Sequence, residues 1–132
     1  MNILALIPAR MDSTRFPGKP LAKILDKPMI GHVYDQVRKN SSLSSTFVTT
    51  CDNEIVDYIE FIGGSCVMTS SHHRRATDRC AEALEILEKR NCFQYDIIVM
   101  VQGDEPMVYP ERISNGLKPM LEKSNVQVTN LM

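Results

Sequence analysis

Short apolar runs alternate along the chain with segments of helical spacing, and Gly, Pro, Ser or Asn marks each change of period. From Asn2 to Ile7 the residues are almost all apolar, the pattern of a strand buried on both faces. Pro28 suits the first turn of a helix that lines up Met29, Ile30, Val33, Tyr34 and Val37 on one side. A turn from Ser41 to Ser45 leads to a strand from Thr46 to Thr50. Asp52 or Asn53 then caps a helix with Ile55, Val56, Ile59 and Ile62 inward, and Gly63-Gly64 closes it in the left-handed conformation.

The alternation continues with a strand from Ser65 to Met68. From Thr77 to about Arg90 the chain reads as helix, with Cys80, Ala81, Leu84 and Leu87 at core spacing. The run from Ile97 to Val101 is the most hydrophobic strand, Pro110 opens another helix, and Val126 to Met132 begins a fifth strand. Such an order predicts an α/β fold, a mainly parallel sheet with helices on both faces. Ligands of these sheets bind beyond the carboxyl ends of the strands. Three loops are thereby gathered from distant parts of the sequence: those after Ile7, after Met68 and after Val101.

Composition narrows the possibilities. With 132 residues, 43% hydrophobic and 23% charged, the chain has the make-up of one globular domain with a real core. No apolar stretch approaches the roughly 20 residues of a spanning helix, and the opening run has no basic flank and meets Arg10 too early for a signal peptide. The expectation is a cytoplasmic protein without a membrane partner. Cys51, Cys66, Cys80 and Cys92 lie 15, 14 and 12 apart with no C-x-x-C pair, so they read as reduced, mostly buried small apolar residues. Methionine is frequent and tryptophan absent, so soft side chains fill much of the core.

Charge is concentrated where the ligand is expected. Arg10, Arg15, Lys19, Lys23 and Lys27 face only Asp12 and Asp26 between positions 8 and 27, although the whole chain carries a formal net charge of −1. A basic loop on a mildly acidic protein points to a small polyanion, because duplex nucleic acid would call for a broad basic face. Arg10, Arg15 and Lys19 can grip phosphates, and Ser13 and Gly18 allow close backbone approach, alongside the alternative of a solvated basic loop. Gly18-Lys19-Pro20 lacks Walker A spacing, and no G-x-G-x-x-G follows the first strand, which argues against a dinucleotide site.

The other two loops add distinct chemistry. Asp104, in Val101-Gln102-Gly103-Asp104-Glu105-Pro106, would project a carboxylate able to hold Mg2+ against phosphates; its plainer role is a turn or cap residue. The stretch from Thr69 to Arg79 is rich in hydrogen-bonding groups. Thr77 and Arg79 would contact a nucleobase or ribose, or else Thr77 caps the helix and Arg79 makes a surface ion pair. His72-His73 has no further ligand at helix spacing and reads as a polar loop element.

Taken together, Ile-Pro-Ala-Arg at 7 to 10, Ser-Thr-Arg-Phe-Pro-Gly-Lys-Pro-Leu at 13 to 21, Thr-Asp-Arg at 77 to 79 and Val-Gln-Gly-Asp-Glu-Pro at 101 to 106 resemble the 3-deoxy-manno-octulosonate cytidylyltransferases, or CMP-Kdo synthetases. Gly63-Gly64 and the Met68-Thr69-Ser70 strand exit fit the same order. The resemblance implies a Rossmann-like fold of the nucleotide-diphospho-sugar transferase type and a Mg2+-dependent transfer of CMP from CTP to the anomeric hydroxyl of a 2-keto-3-deoxy sugar acid, with release of pyrophosphate, for bacterial lipopolysaccharide.

Position by position, the resemblance assigns Ala9, Arg10, Ser13, Arg15 and Lys19 to the nucleotide's triphosphate side. Thr69, Ser70, Thr77 and Arg79 go to the cytidine, Gln102 to the nucleotide and sugar side, and Asp104 to Mg2+. Arg15, Lys19 and Asp104 would be the catalytic groups. Arg75-Ala76 stands where the family has Ser-Gly, adding a Cβ and a long cation near the base. Family chains are nearly twice as long, so residues 1–132 correspond to the nucleotide-binding half. The second half, expected to supply sugar contacts and a second carboxylate, would be missing or provided by a separate chain, and a homo-oligomer is the other expected partner arrangement. The alternatives are a cytidylyltransferase for another acid sugar and a non-catalytic nucleotide-binding module.

Overall fold

A computed structural model describes residues 2–11, 18–72, 75–91 and 94–102, apart from the side chain of Lys19. Strand β1, Ile3–Pro8, is buried at every position. It lies between β4, Ser45–Thr50, and β6, Ile97–Met100, while β5, Cys66–Met68, pairs with the far side of β4. All three pairings are parallel, in the order β5-β4-β1-β6. Parallel strands need crossovers, and helices α1 (Met29–Arg38), α2 (Asn53–Phe61) and α3 (Ala76–Asn91) provide them.

Side chains alternate across β1, which divides the core in two. Ile3, Ala5 and Ile7 pack with Ile30, Val33 and Val37 of α1 and Ile55 and Ile59 of α2. Leu4 and Leu6 face the other way, onto Val67 and onto Cys80, Ala83 and Leu87 of α3. Helices therefore cover both faces, as the unbroken hydrophobic run of β1 requires. The chain travels outward from β1 to β4 to β5, then α3 crosses to the opposite face and returns it to β6 beside β1. Strand order thus reverses between β1 and β6, and their carboxyl ends flank the crevice where such sheets take ligands.

Several expectations need correction. The inward residue of α3 is Ala83, with Ala81 exposed, because 80, 83 and 87 share one face of a helix that begins at Ala76. Thr77 therefore stands inside the first turn; the Arg75 carbonyl accepts from Arg79 N–H at 3.3 Å, so Arg75 holds the cap position. Asp52 precedes α2 as expected, yet its carboxylate makes no capping bond. Of the residues expected inward on α2, Ile55 and Ile59 are buried while Val56 and Ile62 are only partly so. Gly63 does end the helix with φ +78. The expected helix at Pro110 and strand from Val126 lie outside the described residues.

A second, smaller sheet was not expected. Lys23–Ile24 (β2) and Lys27–Pro28 (β3) form a small antiparallel hairpin whose turn residues, Leu25 and Asp26, have φ of 54° and 66°. Pro28 thus ends a strand immediately before α1. The hairpin is held to that helix by His32 Nε2 against the Ile24 carbonyl at 2.7 Å and by an ion pair between Lys27 and Asp35. Arg38 completes the arrangement, 2.8 Å from Asp35 and stacked 5.2 Å from the Tyr34 ring centroid. Helices α1 and α2 meet closely at Gly31, where a Cβ would collide with the Tyr58 hydroxyl.

Candidate functional site at the carboxyl rim of the sheet

Backbone hydrogen bonds continue past the strand ends and stitch the rim together. Val101 N–H donates to the Leu6 carbonyl at 3.0 Å, Ala9 N–H to Thr49 at 3.0 Å and Thr69 N–H to Thr50 at 2.9 Å. The chain segments leaving β6, β1, β4 and β5 are therefore neighbours along one edge. Arg10 and Gln102 are exposed at that edge, on either side of the switch point, while Ala9 is buried beneath them. Met11 carries the first loop onward, and Gly18 N–H closes back on the Met11 carbonyl at 2.8 Å with Gly18 at φ +79. The short helical turn Lys19–Leu21 follows at once. Ser13, Arg15 and Asp104 lie outside the described residues, as does the side chain of Lys19.

On the β5 side one alternative for Arg79, a surface ion pair, is overturned by burial. Arg79 is 3% exposed, and its Nη1 donates to Thr69 Oγ1 at 2.8 Å and to the Ser70 carbonyl at 3.2 Å. Thr49 donates to the same Thr69 oxygen at 3.2 Å. One turn further along α3, Glu82 receives Ser70 N–H on both carboxylate oxygens, at 3.1 and 3.3 Å. A guanidinium on the carbonyl and a carboxylate on the amide thus grip Ser70 from the same helix face, because positions three apart are adjacent on it. Ser70 Oγ accepts from His72 N–H at 3.1 Å, which turns the chain outward. Thr77 is exposed at the start of α3.

Thr69 and Arg79 are thus joined in one framework at the exit of β5. Sequence reasoning did not find Glu82 or Thr49. The signal for Glu82 was its spacing from Arg79; Thr49 carried none, since its partner lies 20 residues away. Cys51, Cys66 and Cys80 form no disulfide; Cys80 is a core residue, Cys66 and Cys51 are partly buried, and burial pushes the Cys66 and Cys80 thiols up to about 12. For Cys66 the Glu60 charge adds to the rise, and for Cys80 the adjacent Arg79 opposes it. Cys92 lies outside the described residues.

A family model described as cytidylyltransferase matches residues 4–132. The chain belongs to the cytidylyltransferase family. It is 46% identical over 131 residues to the 3-deoxy-manno-octulosonate cytidylyltransferase of Trichlorobacter lovleyi, covering 99% of this chain and 50% of that protein. The enzyme of the same name from Parabacteroides distasonis is 45% identical over 132 residues, again across half its length. The fold is similar to that of a CMP:2-keto-3-deoxy-manno-octonic acid synthetase complexed with CTP, with a TM-score of 0.88 and 34% identity over 96% of this chain and 50% of that one. A cytidylyltransferase from Leptospira borgpetersenii shares the fold, with a TM-score of 0.78.

This cytidylyltransferase-family chain spans about half the length of the curated relatives it matches. No helix among the described residues is long and apolar enough to cross a membrane.

Proposed function

We propose that the chain is the CTP-binding half of a cytidylyltransferase that transfers CMP to 3-deoxy-manno-octulosonate or a related 2-keto-3-deoxy sugar acid. The observation that carries this reading is the topological switch between β1 and β6, with Arg10 on one lip and Gln102 on the other. Support comes from relatives of that name at 46% and 45% identity and from the fold shared with a synthetase complexed with CTP.

In this reading Arg10, Ser13, Arg15 and Lys19 hold the triphosphate beyond β1, and the chain beyond Thr69 and Ser70 lines the cytidine. Gln102 stands between nucleotide and sugar. The anomeric hydroxyl attacks the α phosphorus in line: a bond from the sugar oxygen to phosphorus forms, the bridge to the β phosphate breaks, and the hydroxyl proton passes to solvent. No covalent enzyme intermediate is required. Positioning and charge neutralisation supply the acceleration, with Arg15 and Lys19 offsetting charge on the departing pyrophosphate.

Among the described residues no group of three or more His, Cys, Asp or Glu is placed to hold a metal. In this reading Mg2+ would be held by one carboxylate, Asp104, which lies outside the described residues, together with the phosphates of the ligand, the mode in which this ion is usually bound. The ion would supply further neutralisation of the phosphate charge.

The test is thermal stability of the purified chain titrated with CTP, UTP and ATP, with and without Mg2+. A ligand that binds only the folded state raises the midpoint by mass action. A CTP-selective rise that Mg2+ enhances is expected, and Asp104→Asn should abolish the enhancement while leaving the fold intact. No rise with any nucleotide would refute the reading. Pyrophosphate release on adding the sugar acid then reports whether these residues suffice for turnover.

A further inference from the structure

We infer that Asp52 is a positioning residue for the phosphate chain, and that its carboxylate fixes the backbone of Arg10 instead of capping its own helix. This rests on the reading of Arg10 as a triphosphate contact. Asp52 has the extended backbone of a helix cap, φ −105 and ψ 121, and Asp there normally accepts from an amide of the first turn. Here the side chain makes no such bond. Oδ2 accepts from Met11 N–H at 2.7 Å, across 41 residues of sequence. The helix start is served by the Asp52 main-chain carbonyl alone, which accepts from Ile55 and Val56 N–H at 3.2 Å each.

The consequence falls on Arg10. Ala9 N–H before it is tied to the Thr49 carbonyl at 3.0 Å and Met11 N–H after it to Asp52, so the end of β4 anchors the residues on both sides. The Met11 carbonyl in turn accepts from Gly18 N–H at 2.8 Å, which fixes the point where the chain leaves and re-enters. Asp52 is itself steadied by its own N–H, which donates to Thr50 Oγ1 at 3.1 Å. A carboxylate beside an anion site opposes the ligand by simple repulsion. Its placement is intelligible if a charge-assisted bond to Met11 holds the exposed Arg10 ready on the rim, because ordering a flexible cation only on binding would cost affinity.

Two variants separate positioning from general stability. Asp52→Ser keeps a residue suited to the helix start but is too short to reach Met11; Asp52→Asn keeps both reach and acceptor. Affinities for CTP and for cytidine are measured by calorimetry on each. Asp52→Ser should weaken CTP about tenfold and leave cytidine unchanged, and Asp52→Asn should restore CTP binding to within about threefold. In an Arg10→Ala background the Asp52→Ser loss should shrink, since both changes then remove one interaction. Faster amide exchange at Met11 in nucleotide-free Asp52→Ser would confirm the lost bond.

Equal weakening of CTP and cytidine, full additivity with Arg10→Ala, or unchanged CTP affinity in Asp52→Ser would each overturn the inference. Wild-type protein that binds CTP no more tightly than cytidine would overturn it together with the reading beneath it, and that result is seen without any variant.

Discussion

Arg79 reaches from α3 to the Thr69 hydroxyl, 2.8 Å away, with only 3% of its surface exposed. A buried guanidinium is costly unless its donors are satisfied, and here they serve Thr69 and the Ser70 carbonyl at the exit of β5. Arg79→Met should leave the Ser70 carbonyl short of a partner and lower stability by about 2–3 kcal/mol in urea unfolding. Arg79→Lys should recover it only in part, because the compact, strongly hydrated ammonium costs more to bury than the guanidinium. Stability unchanged in both variants would show that the clamp on Ser70 is replaceable.

Alkaline pH provides a second test through the neighbour of Arg79. Burial holds the Cys80 thiol at about 12, against 9.0 for an unburied one. The folded state thus keeps a proton that the unfolded chain gives up, so the contribution is fully present below pH 9 and is lost as pH climbs toward 12. The loss amounts to about 4 kcal/mol by pH 12. Stability followed between pH 8 and 11 should decline less steeply in Cys80→Ala than in the parent, whose absolute stability at pH 7 should be the higher. Parallel pH profiles would mean that the thiol ionises alike in both states.

The hairpin turn predicts a gain instead of a loss. Leu25 sits at φ 54 with 91% of its surface exposed, so it occupies left-handed backbone and buries nothing in return. Asn tolerates that conformation through its short polar side chain. Leu25→Asn should raise the thermal midpoint, worth about 0.5–1 kcal/mol. Leu25→Val, β-branched, should lower it, and the reverse ranking would contradict the turn geometry.

Regular periodicity made much of this architecture legible. The apolar run of β1 declared burial on both faces, and Ile30, Val33 and Val37 declared the inner face of α1. The hairpin stayed hidden because two-residue strands carry no period and Leu is a poor marker of a left-handed turn. On α3 the choice between Ala81 and Ala83 could not be made from spacing, since both neighbour Cys80 and Leu84. Site residues were legible as chemistry but not as roles. Arg79 reads equally as a base contact or a surface cation until α3 is laid against β5, and Asp52 reads as a cap until the β1 exit is placed 2.7 Å away. Such contacts join residues 10 and 41 apart, beyond the range of local patterns.

Arg75 lets the two scales meet in one experiment. Its carbonyl accepts the first backbone bond of α3, so it occupies the cap position with its side chain exposed. A cation there opposes the helix dipole and offers no acceptor to the free amides of the first turn. Arg75→Ser supplies that acceptor and removes the charge, and should stabilise the chain by about 1 kcal/mol. The same change clears a long side chain from the segment expected to line the base, so CTP affinity should rise beyond what stability alone would bring. Calorimetry at a temperature where both proteins are fully folded isolates that part. Tighter CTP binding there would mark position 75 as a determinant of base recognition; unchanged affinity beside a higher midpoint would confine Arg75 to the helix start.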